Sequence, residues 1–262
     1  MMSLASPQRL RVLVGAGSFA DASAALRIVE RLPDTFRTEL GGVLVEEVDT
    51  LAAYQIPKQR IVLVNGTTIL APNLSQVHSL LKADAKAFRQ SLARAADSTG
   101  AQWIFVQDKG ELVSTALRAA AEWDILVIGY RQLNIIPGKI VLLEACCRSD
   151  DDMHEAARRL SPDRIVFSVK THENDTIGLQ NSNVFEFETL ENAMRALMRT
   201  NAQAVLVDLT EGPIRSPDDL ARLLEVSRCP LIVFGTSNTN TMLEHSTQIP
   251  PPPGKRSYDG AP

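Results

Sequence analysis

The chain repeats itself. The stretch "WIFVQDKGELVSTALRAAAEWDILVIG" lies over "NVFEFETLENAMRALMRTNAQAVLVDL", with strand, helix and strand in one order and at nearly one spacing. Likewise "RVLVGAGSFADASAALRIVERL" lies over "KIVLLEACCRSDDDMHEAARRL". A period of roughly 130 residues is far too long for a solenoid and marks two tandem copies of one unit. Each copy alternates short apolar strands with amphipathic helices, the pattern of a mainly parallel sheet covered by helices on both faces. The expected fold class is therefore α/β, with two tandem doubly wound, Rossmann-like domains. We place the first at residues 1–137, the second at 138–236 and a proline-rich tail at 237–262.

The copies are unequal. After the fourth strand of the first, "DILVIG", the stretch "YRQLNIIPG" is too short to hold a crossover helix, because a parallel connection needs about a dozen residues. The first copy thus lacks a last helix and strand. Its bare edge must be covered by the second copy or by a partner chain. Between the second strand, "LGGVLVEE", and the long helix "LSQVHSLLKADAKAFRQSLARAADSTG" lie about 26 residues, Val48 to Asn73, with little regular pattern. Segments of that length are functional or disordered in compact domains; the apolar "RIVLV" within it suggests partial order, as a strand, a flap or a lid over the strand ends, with an ordered insertion packed on the surface as the alternative. From Thr236 onward the chain is polar and proline-rich, as a disordered or polyproline tail would be.

Composition excludes several classes of function. With 262 residues, 45% of them hydrophobic and 22% charged, the chain can bury a sizeable core. A net charge of -4 and a pI near 5.6 give no footprint for nucleic acid. No apolar run reaches the roughly 18 residues that span a bilayer, and "MMSLASPQRLRV" lacks the features of a secretory signal. Three cysteines, two of them adjacent, make no disulfide framework. A cytoplasmic protein is expected.

The opening loop, Gly15-Ala16-Gly17-Ser18-Phe19-Ala20, fits the G-x-G-x-x-G/A pattern of dinucleotide-binding loops. It follows a strand and precedes a helix, whose first N–H groups could hold an anion. Acids near the end of the second strand, Glu46 and Glu47, lie further on than the usual ribose-binding spacing. The competing reading is purely architectural: glycine permits the turn, and Ser18 or Asp21 caps the helix. "YQIPK", Tyr54 to Lys58, mimics the Tyr-Lys pair of short-chain dehydrogenases, but Pro57 breaks the helix that this pair needs. "SDDD", Ser149 to Asp152, reads as an N-cap with acids in the first turn, and no further ligand cluster completes a metal site. His78, His154, His172 and His245 are scattered, and none pairs with an evident nucleophile. Cys146 and Cys147 end a buried strand and read as packing residues, with a redox role as the alternative. Neither a catalytic triad nor a carboxylate pair is discernible. No catalytic residue and no metal are expected.

With these elements in place, the chain resembles the universal stress protein family. The residues that carry the resemblance are Gly17-Ser18 in the first strand–turn–helix, "VSTALRAAAEWDILVIGYR", and "SRCPLIVFG" at the end of the second copy. Asp124 to Gly129 and Cys229 to Val233 match the family's fourth and fifth strands. The resemblance spans roughly Arg9 to Gly235. It implies a five-stranded parallel sheet, frequent dimerisation, and either ATP or AMP binding or no ligand. Nucleotide-binding members carry G-x2-G-x9-G followed by Ser or Thr after the fourth strand; here Gly129 is followed by "YRQLNIIPGK", and Gly212 in the second copy by no such glycine. The aspartate usual in the family's first loop corresponds to Ala16 in one copy and to about Cys146 in the other.

The leading expectation is a tandem, degenerate universal-stress-type protein without enzymatic activity. It would act in stress response by protein contact, with small-ligand binding as an additional role and no required cofactor. Its copies would pack as an intramolecular pseudo-dimer, or the chain would form a homodimer. The alternative keeps ATP or AMP in the first copy. There Gly15, Ala16, Gly17, Ser18 and Gly129 would form the nucleotide-binding site, with Val45 near the base and Arg131 near the phosphates. A Rossmann-like nucleotide-dependent enzyme is the third reading.

Overall fold

A computed structural model describes residues 10–47, 60–62, 68–70, 74–131, 138–146, 151–170 and 183–238. The first half contributes β1 (Arg11–Ala16), α1 (Phe19–Val29), β2 (Glu39–Glu46), α2 (Leu74–Asp97), β5 (Gln102–Lys109), α3 (Leu112–Ala119) and β6 (Ile125–Ile128). A separate two-stranded antiparallel ladder, β3 (Arg60–Val62) with β4 (Thr68–Leu70), is the described part of the Val48–Asn73 segment. The second half contributes β7 (Lys139–Ala145), α4 (Asp151–Leu160), β8 (Arg164–Val169), β9 (Val184–Phe187), α5 (Leu190–Leu197), β10 (Ala202–Asp208), α6 (Pro217–Ser227) and β11 (Leu231–Phe234).

All strands but β3 and β4 join one nine-stranded sheet in the order β5-β2-β1-β6-β11-β10-β7-β8-β9. Each half is parallel throughout: four strands in the first, five in the second. The α/β, doubly wound reading holds, and so does the missing last strand of the first half. Its bare edge is covered from within the chain. Strand β11 runs antiparallel to β6, with Leu231 opposite Ile128 and Phe234 opposite Ile125.

Side-chain alternation divides the core into two layers. Val12, Val14 and Ala16 of β1 face a layer with α1, α2 and α4, where Phe88, Leu92 and Met153 are fully buried. Leu13 faces the other layer, with α3, α5 and α6 and with Leu117, Leu220 and Leu223. Both layers contain residues of both halves, and helices cover both faces of the central strands. Strand β2 carries two glycines because each neighbour demands the space: a Cβ on Gly41 would stand 2.7 Å from the Trp123 ring, and one on Gly42 2.9 Å from Leu92.

The helix ends follow the sequence signals. Gly100 adopts φ +69° after α2, and the Ala101 amide reaches back to the Ala96 carbonyl at 3.1 Å, closing the helix with a left-handed cap. Ser216 and Asp219 cap α6 reciprocally, with Pro217 in its first turn. Thr236, which the sequence places at the start of the tail, is instead fully buried in a 3-10 turn, Thr236–Asn238. Its hydroxyl donates to the Trp123 carbonyl and so ties the end of the second half to the start of β6. The tail from residue 239 lies outside the described residues. Among the described residues no helix is long and apolar enough to cross a membrane.

Candidate functional site

In the first half the chain order reverses between β1 and β6, and the loops at the carboxyl ends of these strands open a crevice there, where ligands bind in many such sheets. The crevice has a volume of about 340 Å³. Gly17, Ser18 and Asp21 form one wall, Gly129 and Tyr130 a second, and Glu47 with Glu111 to Val113 a third. The fourth wall comes from α6 of the second half, through Ala221, Leu224 and Glu225. Four of these residues are acids (Asp21, Glu47, Glu111, Glu225), and among the described residues the lining has no Lys, Arg or His.

The helix N-termini at this mouth are already served by carboxylates. The Ser18 hydroxyl accepts from the Asp21 amide at 3.2 Å and donates to the Asp21 carboxylate at 2.5 Å. The other oxygen of Asp21 accepts from the Arg131 amide at 2.7 Å, and the Phe19 amide donates to Asp84 of α2 at 3.1 Å. At α3, Glu111 accepts from the amides of Val113 and Ser114 at 2.9 and 2.7 Å. Donors that could cradle a phosphate are thus turned to the chain's own negative charge.

The structure brings together only part of the set expected from sequence. Gly17, Ser18 and Gly129 line the crevice. Gly15 and Ala16 lie inside β1, and a Cβ on Gly15 would stand 2.8 Å from the Ala116 methyl, so this glycine admits α3 against the sheet. Val45 is fully buried in the layer beneath α3 and does not line the crevice. Arg131 is exposed and contributes its backbone amide to Asp21. Gly129 also serves close packing, since a Cβ there would meet the Asp21 carbonyl oxygen at 2.4 Å.

A second cluster went unseen in the sequence. Glu144, near the end of β7, is buried and pairs with His154 of α4, with 2.5 Å between Oε1 and Nε2. The signal available was an acid inside an otherwise apolar strand, "KIVLLEACC". The Glu144 hydrogen bond and charge raise the His154 pKa from its ordinary 6.5, against burial and the nearby charges of Arg158 and Arg164. A raised folded-state value means that the pair's stabilisation is complete below the unfolded value and is lost as pH rises through the folded one. Unfolding free energy measured by urea titration should therefore fall from pH 6 to pH 9 in the wild type. It should fall less in His154→Gln; parallel pH profiles would refute the coupling.

Cys146 and Cys229 are buried. Burial pushes the Cys229 thiol up to about 12, which keeps it unreactive. Cys147, Ser149, Tyr54 to Lys58, His172 and His245 lie outside the described residues. Among the described residues no group of three His, Cys, Asp or Glu could hold a metal ion.

No protein-family model matches the chain, and no curated protein matches it. Among solved structures it is similar to a universal stress protein from Archaeoglobus fulgidus. That likeness has 11% identity and a TM-score of 0.43 over 87% of this chain and 97% of the other.

Proposed function

We propose that the chain is a universal-stress-type protein that acts in stress response by protein contact and not by turnover, its two halves forming an intramolecular pseudo-dimer. The observation that favours this reading over nucleotide binding is the acidic lining of the β1–β6 crevice. A phosphate charge about 4 Å from a carboxylate is disfavoured by roughly 1 kcal/mol in water and about 4 kcal/mol near a protein surface. Asp21, Asp84 and Glu111 hold the helix N-termini where phosphates would bind. Several such repulsions outweigh the roughly 0.3–1 kcal/mol that a helix dipole offers an anion.

A second reading keeps ATP or AMP on the Gly15–Ser18 loop. One feature favours it: Gly17 opens into the crevice, with no atom within 4 Å of where its Cβ would stand.

Backbone amide signals of Gly17, Ser18 and Gly129, followed by NMR during titration with ATP, AMP and NAD, separate the two. The proposal expects these three signals to stay in place. Saturable shifts at Gly17 and Ser18 with any of the nucleotides would overturn it in favour of the second reading.

A further inference from the structure

The other edge of the sheet carries a site of opposite character. Strand β1 begins opposite Glu39, the first residue of β2, so α1 and α2 both end at the amino edge of the strands, away from the crevice. Between their last turns lies a groove of about 760 Å³. Arg27 of α1, Arg94 of α2 and Arg37 from the turn before β2 line it, with the hydroxyls of Ser91, Ser98 and Thr99. Glu30 and Asp34 are the acids there, so the lining carries three guanidinium groups against two carboxylates.

Arg37 is the distinctive member. It is only 9% exposed, and one arm of its guanidinium is held by Asp34. Among the described residues its Nε is buried without any hydrogen-bond partner. A buried charged donor left unpaired is costly, and native structures almost always give such a group an acceptor. Arg94 and Arg27 are exposed but pinned: Arg94 donates to the Gln90 carbonyl and to Ser91, and Arg27 to the Ser23 carbonyl. Each fork keeps further N–H groups for a ligand.

We propose that this groove binds a small phosphate ester of a polyhydroxylated compound, its phosphate taken by Arg37 Nε–H together with Arg27 and Arg94. Several guanidinium forks suit a tetrahedral dianion, which offers acceptors in more directions than a single carboxylate does. Glu30 and Asp34 supply acceptors for the ligand's hydroxyls. Among the described residues the lining has no aromatic ring and only one apolar residue, Leu26, so they offer neither a stacking platform for a base nor a slot for an acyl chain.

The test is an NMR titration of the full chain at physiological salt, reading the Nε–H signals of Arg37 and Arg94. Glucose 6-phosphate is expected to shift both saturably, inorganic phosphate more weakly, and glucose not at all. The double variant Arg27→Ala/Arg94→Ala removes exposed side chains and should fold normally; its affinity for glucose 6-phosphate should fall at least about tenfold. Absence of a saturable shift in the wild type would overturn the proposal, as would unchanged affinity in the double variant. Equal affinity for glucose 6-phosphate and inorganic phosphate would overturn the ester assignment. These signals lie at the edge remote from Gly17, Ser18 and Gly129, so this test and that of the acidic crevice fail independently.

Discussion

Replacing Gly129 by alanine should destabilise the protein by about 3 kcal/mol, whereas the same change at Gly17 should stay within about 0.5 kcal/mol of the wild type. The two glycines flank one crevice but meet different surroundings. A methyl on Gly129 would stand 2.4 Å from the Asp21 carbonyl oxygen and 2.6 Å from its carbon, both backbone atoms of α1. The loop must lift or the helix must shift. Lifting breaks two bonds: the Gly129 amide to the Gly15 carbonyl and the Arg131 amide to Asp21, each 2.7 Å. Overpacking costs about 1–3 kcal/mol and each lost bond about 1 kcal/mol. A methyl on Gly17 touches nothing. Urea unfolding of both variants measures the contrast, and equal losses would refute it. With a total stability of about 5–15 kcal/mol, the Gly129 variant should remain folded but be visibly weakened.

Val233→Asp should cost about 3–5 kcal/mol and should weaken both halves at once. Val233 is fully buried in β11, between Leu126 of β6 and Val207 of β10. An aspartate there is an uncompensated buried carboxylate, which must be neutralised or must pull the strand away. Both tryptophans, Trp103 and Trp123, belong to the first half, while the substitution lies in the second. Tryptophan fluorescence therefore follows the first half, and far-ultraviolet circular dichroism follows the whole chain. If the sheet unfolds as one unit, the two midpoints shift together to lower denaturant. A fluorescence midpoint that stays at the wild-type value would mean that the halves unfold independently.

Most of the architecture was legible in the chain because it rests on local pattern. Apolar runs separated by amphipathic helices give the strands, and the nine residues after Gly129 are too few for a crossover. What covers the bare edge of β6 was open between the second half and another chain, since strand pairing at long range leaves no local trace. The capping pair Ser18 and Asp21 was legible for the same reason that the pairing of β6 with β11 was not: its members are three residues apart. Asp84, Glu111 and Glu225 reach the crevice or its helix from α2, α3 and α6, so the acidity of this site comes from tertiary structure. Val45 illustrates another limit. In a strand buried on both faces, "LGGVLV" is apolar throughout, and the sequence carries no sign of which residues turn toward a ligand. Arg37 is hidden likewise, an ordinary surface residue by type that the turn Asp34–Phe36 folds inward.

The antiparallel contact between β6 and β11 has a consequence for how this protein can vary. A dimer of identical subunits sees every substitution twice, at positions related by symmetry, and it dissociates on dilution. Here the union is covalent and one-sided: the second half lends a strand, and the first has none to return. Dilution cannot separate the halves. Each half is free to change alone. One mouth can become acidic while the matching end of β7 acquires a buried Glu144–His154 pair.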